Sequence, residues 1–399
     1  MKPLLPFSKL SVLDISQGIA GPYCTEILWQ QGAHVIKIEP PEGDWGRHVG
    51  AARNGHSSLS ISYNAGKQSV CVDGRTAEGK QVLRRLAAQA DVVVQNFRPG
   101  VAERLGMGYE DLIKTNPGLI YVSISGYGVD GPYAHAPASD SVMQADSGLM
   151  FANQDAAGSP RRLGMLMADI ATALYAAQQT SAALFHRAMT GEGMHLKLSL
   201  FEACAALQVN DITAFGLEGE RVPGAVSAPN GIFDTADGAI SVLALNNDQF
   251  ARLSRALNRP DWLKDERFEN NEKRMVHRGV LHQQVGEQLR EQITQHWMAL
   301  FSEHDVLHAP VRDYTMLAAH PQAEHLGMFQ PVEQPDVGLL NLPGLPGAGL
   351  HRPLQASPRV GEHTTAILSN AGFSAAEISQ LLQAGVIKQA ALTTNEVTQ

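Results

Sequence analysis

The feature that most constrains this chain is the alternation of short apolar, β-branched runs with helical stretches over about its first 130 residues. Runs at 11–15, 34–38, 69–73, 91–95 and 119–124 are each bounded by turn residues, the pattern of buried strands. The intervening segments are amphipathic: over 76–90, Val82, Leu83 and Leu86 share one face and Lys80 and Arg84 another. Strand and helix in alternation predict parallel strands joined by crossover helices, so the expected class is α/β with a Rossmann-like doubly wound sheet.

Residues 168–187 are rich in Ala and free of Gly and Pro, which suits a closely packed helix. Thr190, Gly191 and Gly193 end it, and 195–200 returns as a strand. Beyond about residue 222 the character changes to a Pro- and Gly-rich passage, a hairpin over 232–244 and helices over 248–257 and 282–301. This predicts a large domain over 1–221 and 326–399 and a smaller α+β domain over 222–325. Near the C-terminus Ser374 and Glu377 have the spacing of a capping box.

A net charge of -9 with no run of Lys or Arg excludes a nucleic-acid surface. No stretch is apolar for long enough to span a bilayer, and the first ten residues lack a cationic lead followed by an apolar core. A cytoplasmic protein without membrane partners is expected. Cys24, Cys71 and Cys204 are odd in number and far apart, so neither a disulfide framework nor a metal site is expected.

The first strand runs into Gln17-Gly18-Ile19-Ala20-Gly21-Pro22, where Pro22 suits the first turn of a helix. Such a helix start accepts anions, and Glu39 ends the next strand where a dinucleotide enzyme holds a ribose. The three-glycine fingerprint of nicotinamide enzymes is missing, however. Instead, GPYCTEILWQQGAHVIKIEPPEGDWGR resembles the N-terminal signature of class III CoA-transferases, the formyl-CoA and carnitine-type enzymes. Similar blocks follow in order: NAGKQSVCVD, ADVVVQNFRPG, SISGYGVDGPY, SDSVMQADSG, the helix containing Asp169, and GEHTTAILSNAGFS. The resemblance covers nearly the whole chain.

The resemblance implies transfer of CoA from an acyl-CoA to a free carboxylic acid, with no permanently bound cofactor and an interlocked homodimer. It places the acyl-carrying carboxylate at Asp169, an acidic neighbour at Asp140 and an oxyanion donor at Gln17. Without it, an Asp opening an Ala-rich helix is an N-cap, and Asp140 bonds its own loop. For CoA the resemblance transfers Val72, Arg75, Asn96, Phe97, Arg104 and Leu105. Pro40 and Pro137 stand where formyl-CoA transferase has basic residues, so Arg98 or Lys37 is expected to compensate. The passage between Gly224 and Gly231 lacks that enzyme's polyglycine loop, and Ser139 and Leu200 replace a tyrosine and a methionine. A roomier pocket follows, which disfavours oxalate and formate. Arg47, His48, Arg53 and His56 make a cationic loop suited to a second carboxylate, hence a dicarboxylic acid such as succinate or a C4 to C5 acid. Two alternatives remain. The 2-methylacyl-CoA racemases look similar over the same blocks, but their histidine matches Ser139 here, leaving His135 as the nearest base. The other is a CoA-ester-binding protein without catalysis.

Overall fold

The computed structural model describes residues 5–155, 157–218, 225–347 and 349–391. It divides into two compact units, Met1–Glu218 with Gly327–Gln399, and Gly219–Leu326. The boundary expected at 221/222 lies outside the described residues.

The large unit is built on seven strands: β1 (Ser11–Asp14), β2 (His34–Glu39), β3 (Gln68–Val72), β4 (Val92–Gln95), β5 (Ile120–Ser125), β6 (Met194–Ser199) and β7 (Ile387–Lys388). Their order is β7-β3-β2-β1-β4-β5-β6, parallel except for β7, which runs antiparallel on β3. Apart from that edge this is the doubly wound order, in which the chain reverses its direction of travel between β1 and β4.

The strands are apolar throughout because both faces are covered. Val12, Val35, Val92, Val94 and Ile120 point into one core, shared with Cys24, Ile27 and Leu28 of α1 (Ala20–Gln30). Leu13, Val70, Val72, Val93 and Tyr121 point into the other, shared with Val82, Leu83 and Leu86 of α2 (Ala77–Ala87). Each such aliphatic side chain stabilises the fold by about 1.5 to 3 kcal/mol on burial. Thr76 caps α2 by accepting from the Gly79 N–H at 2.9 Å.

Two later helices complete the site-bearing side. They are α3 (Asp140–Asp146) and the long α4 (Met167–Thr190), whose Ala173, Ala176 and Ala177 lie in the first core. Small side chains there let α4 approach α1 and the sheet closely. Gly191 ends α4 with φ 80°, a left-handed cap that glycine adopts without steric cost. The C-terminal box forms as expected, with Ser374 and Glu377 bonding reciprocally. Among the described residues no helix is long and apolar enough to cross a membrane.

The smaller unit has a three-stranded antiparallel sheet, in the order Leu307–Pro310, Ala239–Leu243, Asn230–Asp234. Phe250, Trp262, Phe268, Trp297 and Phe301 form its core. The single helix expected over 282–301 is two helices, Arg278–Leu289 and Thr294–Glu303. The break is made by the hairpin turn: Ala236 donates to the Gln292 carbonyl at 3.0 Å, and Asp237 accepts from the Thr294 N–H at 2.7 Å.

Candidate active site

In a doubly wound sheet the crevice lies beyond the C-terminal strand ends, where the strand order reverses. Here that place is held between the loops after β1 and β4. The Asn96 side chain clamps the main chain of Gln17, accepting from its N–H at 2.8 Å and donating to its carbonyl at 2.6 Å. Asp44 fixes the next residue, accepting from the N–H groups of Gly18 and Gly46, both at 2.8 Å. Gly18 has φ 77°, and a Cβ there would overlap the Trp45 indole, so the turn requires glycine. The Gln17 side-chain amide makes no hydrogen bond with any described residue and borders the cavity.

Below this turn lies a dry ionic cluster. Lys67 donates to Asp14 at 2.9 Å, and Lys37 pairs with Asp44 at 2.9 Å, all four side chains being buried. Burial disfavours the Asp14 charge, but Lys37 and Lys67, together with hydrogen bonds from Ser16 and Thr25, outweigh it and bring the carboxyl down to about 2. The cluster anchors β1, β2 and the Asp44 loop under the site.

Opposite, Asp169 stands in the first turn of α4, whose N-cap is Leu166. Asp169 is therefore not the N-cap of this helix. That work is done from another helix: the Asp140 carboxylate accepts from the N–H of Ala168 at 2.8 Å and of Asp169 at 3.4 Å. Asp140 thus bonds the α4 backbone rather than its own loop, satisfying N–H groups that a helix start leaves open. Gln144 locks the pair, donating to Asp140 at 2.7 Å and to the Met165 carbonyl at 3.0 Å, and accepting from the Leu163 N–H at 2.9 Å. Burial, and then the Asp140 charge, push the Asp169 carboxyl up to about 7.

A cavity of about 860 Å³ joins the two sides. Of the residues singled out in the sequence, it gathers Gln17, Asn96, Phe97, Arg98, Ser139, Asp140, Asp169 and Leu200. Val72, Arg75, Arg104 and Leu105 do not border it. Val72 is buried in the second core and Leu105 packs against that core. Arg75 is exposed and paired with Asp73 at 2.7 Å, and Arg104 is exposed. These positions do share a neighbourhood, since a Cβ on Gly74 would come within 3.2 Å of Leu105.

The cationic loop expected to meet a second carboxylate is corrected by the structure. Arg47 is 3% exposed and committed to Glu39, through Nε at 2.6 Å and a second nitrogen at 2.9 Å. His56 is buried, Arg53 reaches the Val337 carbonyl at 3.4 Å, and His48, although exposed, bonds the Glu42 carbonyl at 3.2 Å. The loop folds its charges into ion pairs and backbone contacts instead of aiming them into the cavity. Lys37 is likewise buried and spent on Asp44, so it offers phosphates nothing, whereas Arg98 stays exposed at the cavity wall. His135 is exposed and falls between two cavity-lining alanines, 134 and 136, without lining it.

Sequence reasoning missed the residues that hold the β4 loop. Gln95 accepts from the Phe97 N–H at 2.8 Å and donates to Ser123 at 2.9 Å, and Ser123 meets His195 Nε2 at 2.9 Å. Ser123 thus ties the Gln95 amide on β4 to the His195 ring on β6. Desolvation, and then Lys197, bring the His195 pKa down to about 4. Asp44 and Trp45 were also missed, in a PEGDW passage that gives no sign of their contacts.

The model of CoA-transferase family III matches residues 7–364. The human succinyl-CoA:glutarate CoA-transferase is 34% identical over 403 residues, covering 98% of this chain and 91% of that protein. The acetyl-CoA:oxalate CoA-transferase of Acetobacter aceti is 34% identical over 337 residues, covering 82% and 86%. Among solved structures, a CAIB/BAIF family protein from Brucella suis superposes with a TM-score of 0.82 at 32% identity, over 92% of this chain and 99% of that one. With a matching fold, a site at the strand crossover and similarity along almost its whole length, this chain belongs to CoA-transferase family III.

Proposed function

We propose that the protein moves CoA from an acyl-CoA to a dicarboxylic acid, such as succinate or another C4 to C5 acid, through covalent intermediates on Asp169. The observation that carries this reading is a carboxylate on the wall of a large cavity that the amide of Gln17, without a hydrogen bond to any described residue, also lines. Both relatives compared above are named for a dicarboxylate acceptor. The cavity, about 860 Å³, has room for more than a two-carbon acid beside a pantetheine thioester.

An Asp169 oxygen attacks the thioester carbon, the C–S bond breaks and CoA leaves as thiolate, giving a mixed anhydride. The Gln17 amide donates to the oxyanion formed on the way. Thiolate then attacks the Asp169 carbonyl, releasing the donor acid and leaving CoA as a thioester on the enzyme. An acceptor carboxylate displaces that thiolate at Asp169, and the thiolate attacks the acceptor's acyl carbon to regenerate the carboxylate. Each step exchanges one activated acyl bond for another. Asp169 loses its charge on acylation, which relieves the desolvation and the Asp140 repulsion that raise its pKa. Environment therefore favours the covalent states over the resting anion.

In this reading Arg98 and the Arg75 and Arg104 neighbourhood meet the CoA phosphates, with Asn96 and Phe97 beside the pantetheine arm. The chain works as a cytoplasmic, interlocked homodimer. A helix with no buried residue, Val209–Leu217, exposes Val209, Ile212 and Leu217, which supports a partner there. Trapping decides the chemistry: incubation with an acyl-CoA followed by hydroxylamine or borohydride should modify Asp169, and Asp169→Asn should abolish both adduct and exchange. Exchange persisting in that variant would overturn the proposal.

A further inference from the structure

A dicarboxylic acid that presents one carboxylate to Asp169 carries a second one into the same cavity, and that charge needs a partner there. The loop foreseen for it is spent, since Arg47 is held by Glu39. One other arginine borders the cavity and a second stands just outside its lining. Arg98 lines it on the β4 side, and Arg162 lies on the Asp140 side, one layer behind the wall. Arg162 donates to the Ser141 hydroxyl at 3.0 Å, and Ser141 lines the cavity next to Asp140.

Arg162 makes no ion pair with any described residue, in contrast to its neighbour Arg161, which bonds Asp155 at 2.8 Å. Its loop is fixed as well, because Leu163 and Met165 are both bonded to Gln144, the side chain that also holds Asp140. The position of Arg162 is thus tied to the residues that orient Asp169.

Proton bookkeeping then gives Ser141 a role. A hydroxyl has one proton, and here its oxygen already accepts from Arg162, so the proton is free to be donated elsewhere. Ser141 makes no other hydrogen bond with a described residue, and the cavity is the open side.

We propose that Ser141 and Arg162 form the subsite for the remote carboxylate of the acceptor acid. The serine donates directly and the guanidinium supplies the balancing charge, as in other charge-assisted recognition of carboxylates. This rests on the dicarboxylate reading above and adds the residues that enforce it. A monocarboxylic acid of equal length would leave the pair without a partner.

The test compares glutarate with pentanoate as acceptors, with one acyl-CoA donor at saturation. In such an exchange, kcat/KM for the acceptor reports only the acceptor half-reaction. Arg162→Met should lower it for glutarate about tenfold or more, the scale of one lost charge-assisted bond, and leave pentanoate within about twofold. Ser141→Ala should shift the ratio in the same direction, and Arg162→Lys should restore part of it. Equal losses for both acids, or none for either, would overturn the subsite while leaving dicarboxylate transfer standing. If the wild type used pentanoate and no dicarboxylic acid, the dicarboxylate reading would fail, and the subsite with it.

Discussion

Asp169→Asn tests the electrostatics of the site apart from its chemistry. The carboxyl titrates at about 7 in the folded chain against an ordinary 3.8, because it is desolvated and faces Asp140. The folded state therefore holds this proton more tightly than the unfolded state. Below 3.8 both states carry the proton and no stability is lost. Between 3.8 and about 7 the unfolded chain has released it and the native one has not, so stability falls as pH rises. At about 1.4 kcal/mol per pH unit the full cost above pH 7 reaches about 4 kcal/mol, of which about 2 is already present at pH 5. Asparagine has no proton to lose and keeps most of the carboxyl's shape. The variant should thus gain stability over the wild type between pH 5 and pH 8, by about 2 to 3 kcal/mol at most. Water in the open cavity screens part of this, and a widening of at least about 1 kcal/mol is the expected result. Denaturant titrations of both proteins at the two pH values measure it. A stability difference that is constant with pH, or that narrows, would refute the reasoning.

The same raised pKa should appear in the kinetics, with log kcat/KM for the acyl-CoA rising by about one per pH unit below 7 and levelling above it; a flat profile from pH 5.5 to 8 would contradict an Asp169 nucleophile at that pKa. Lys67→Met should destabilise the fold by about 3 to 5 kcal/mol, since of its two cations Asp14 would keep only Lys37, at 3.9 Å, and adding Asp14→Asn should recover much of the loss in a thermal melt. Gly18→Ala should lower both stability and turnover through its overlap with the Trp45 ring and its φ of 77°. Trp45→Ala in the same chain should relieve the overlap and leave a residual backbone strain of about 1 kcal/mol in denaturant titration.

How much of this was legible beforehand follows the range of the forces involved. The six parallel strands of the large unit were readable because burial on both faces demands unbroken apolar, β-branched runs, whereas the edge strand β7 and the hairpin Phe329–Gln334 with Gly338–Pro343 were not; the ends of α2 and α4 were readable because Thr76 and Gly191 act on their own turns. Strand and helix alternation implied the parallel sheet, and motif likeness marked Asp169, Gln17 and Asn96. The split of the helix expected over 282–301 was hidden, because Asp237, distant in sequence, supplies the bond that restarts it at Thr294. The same limit governs charge. Arg47 and Arg162 both look like ordinary arginines in the sequence, yet one is buried on Glu39 and the other bonds Ser141 and makes no ion pair with a described residue. Sequence determined which charged and polar groups the chain possesses and the strands and helices that carry them. Only the tertiary structure decided which are neutralised by a partner and which remain free for a ligand, because an ion pair depends on distances of a few ångströms between residues that the chain brings together only on folding.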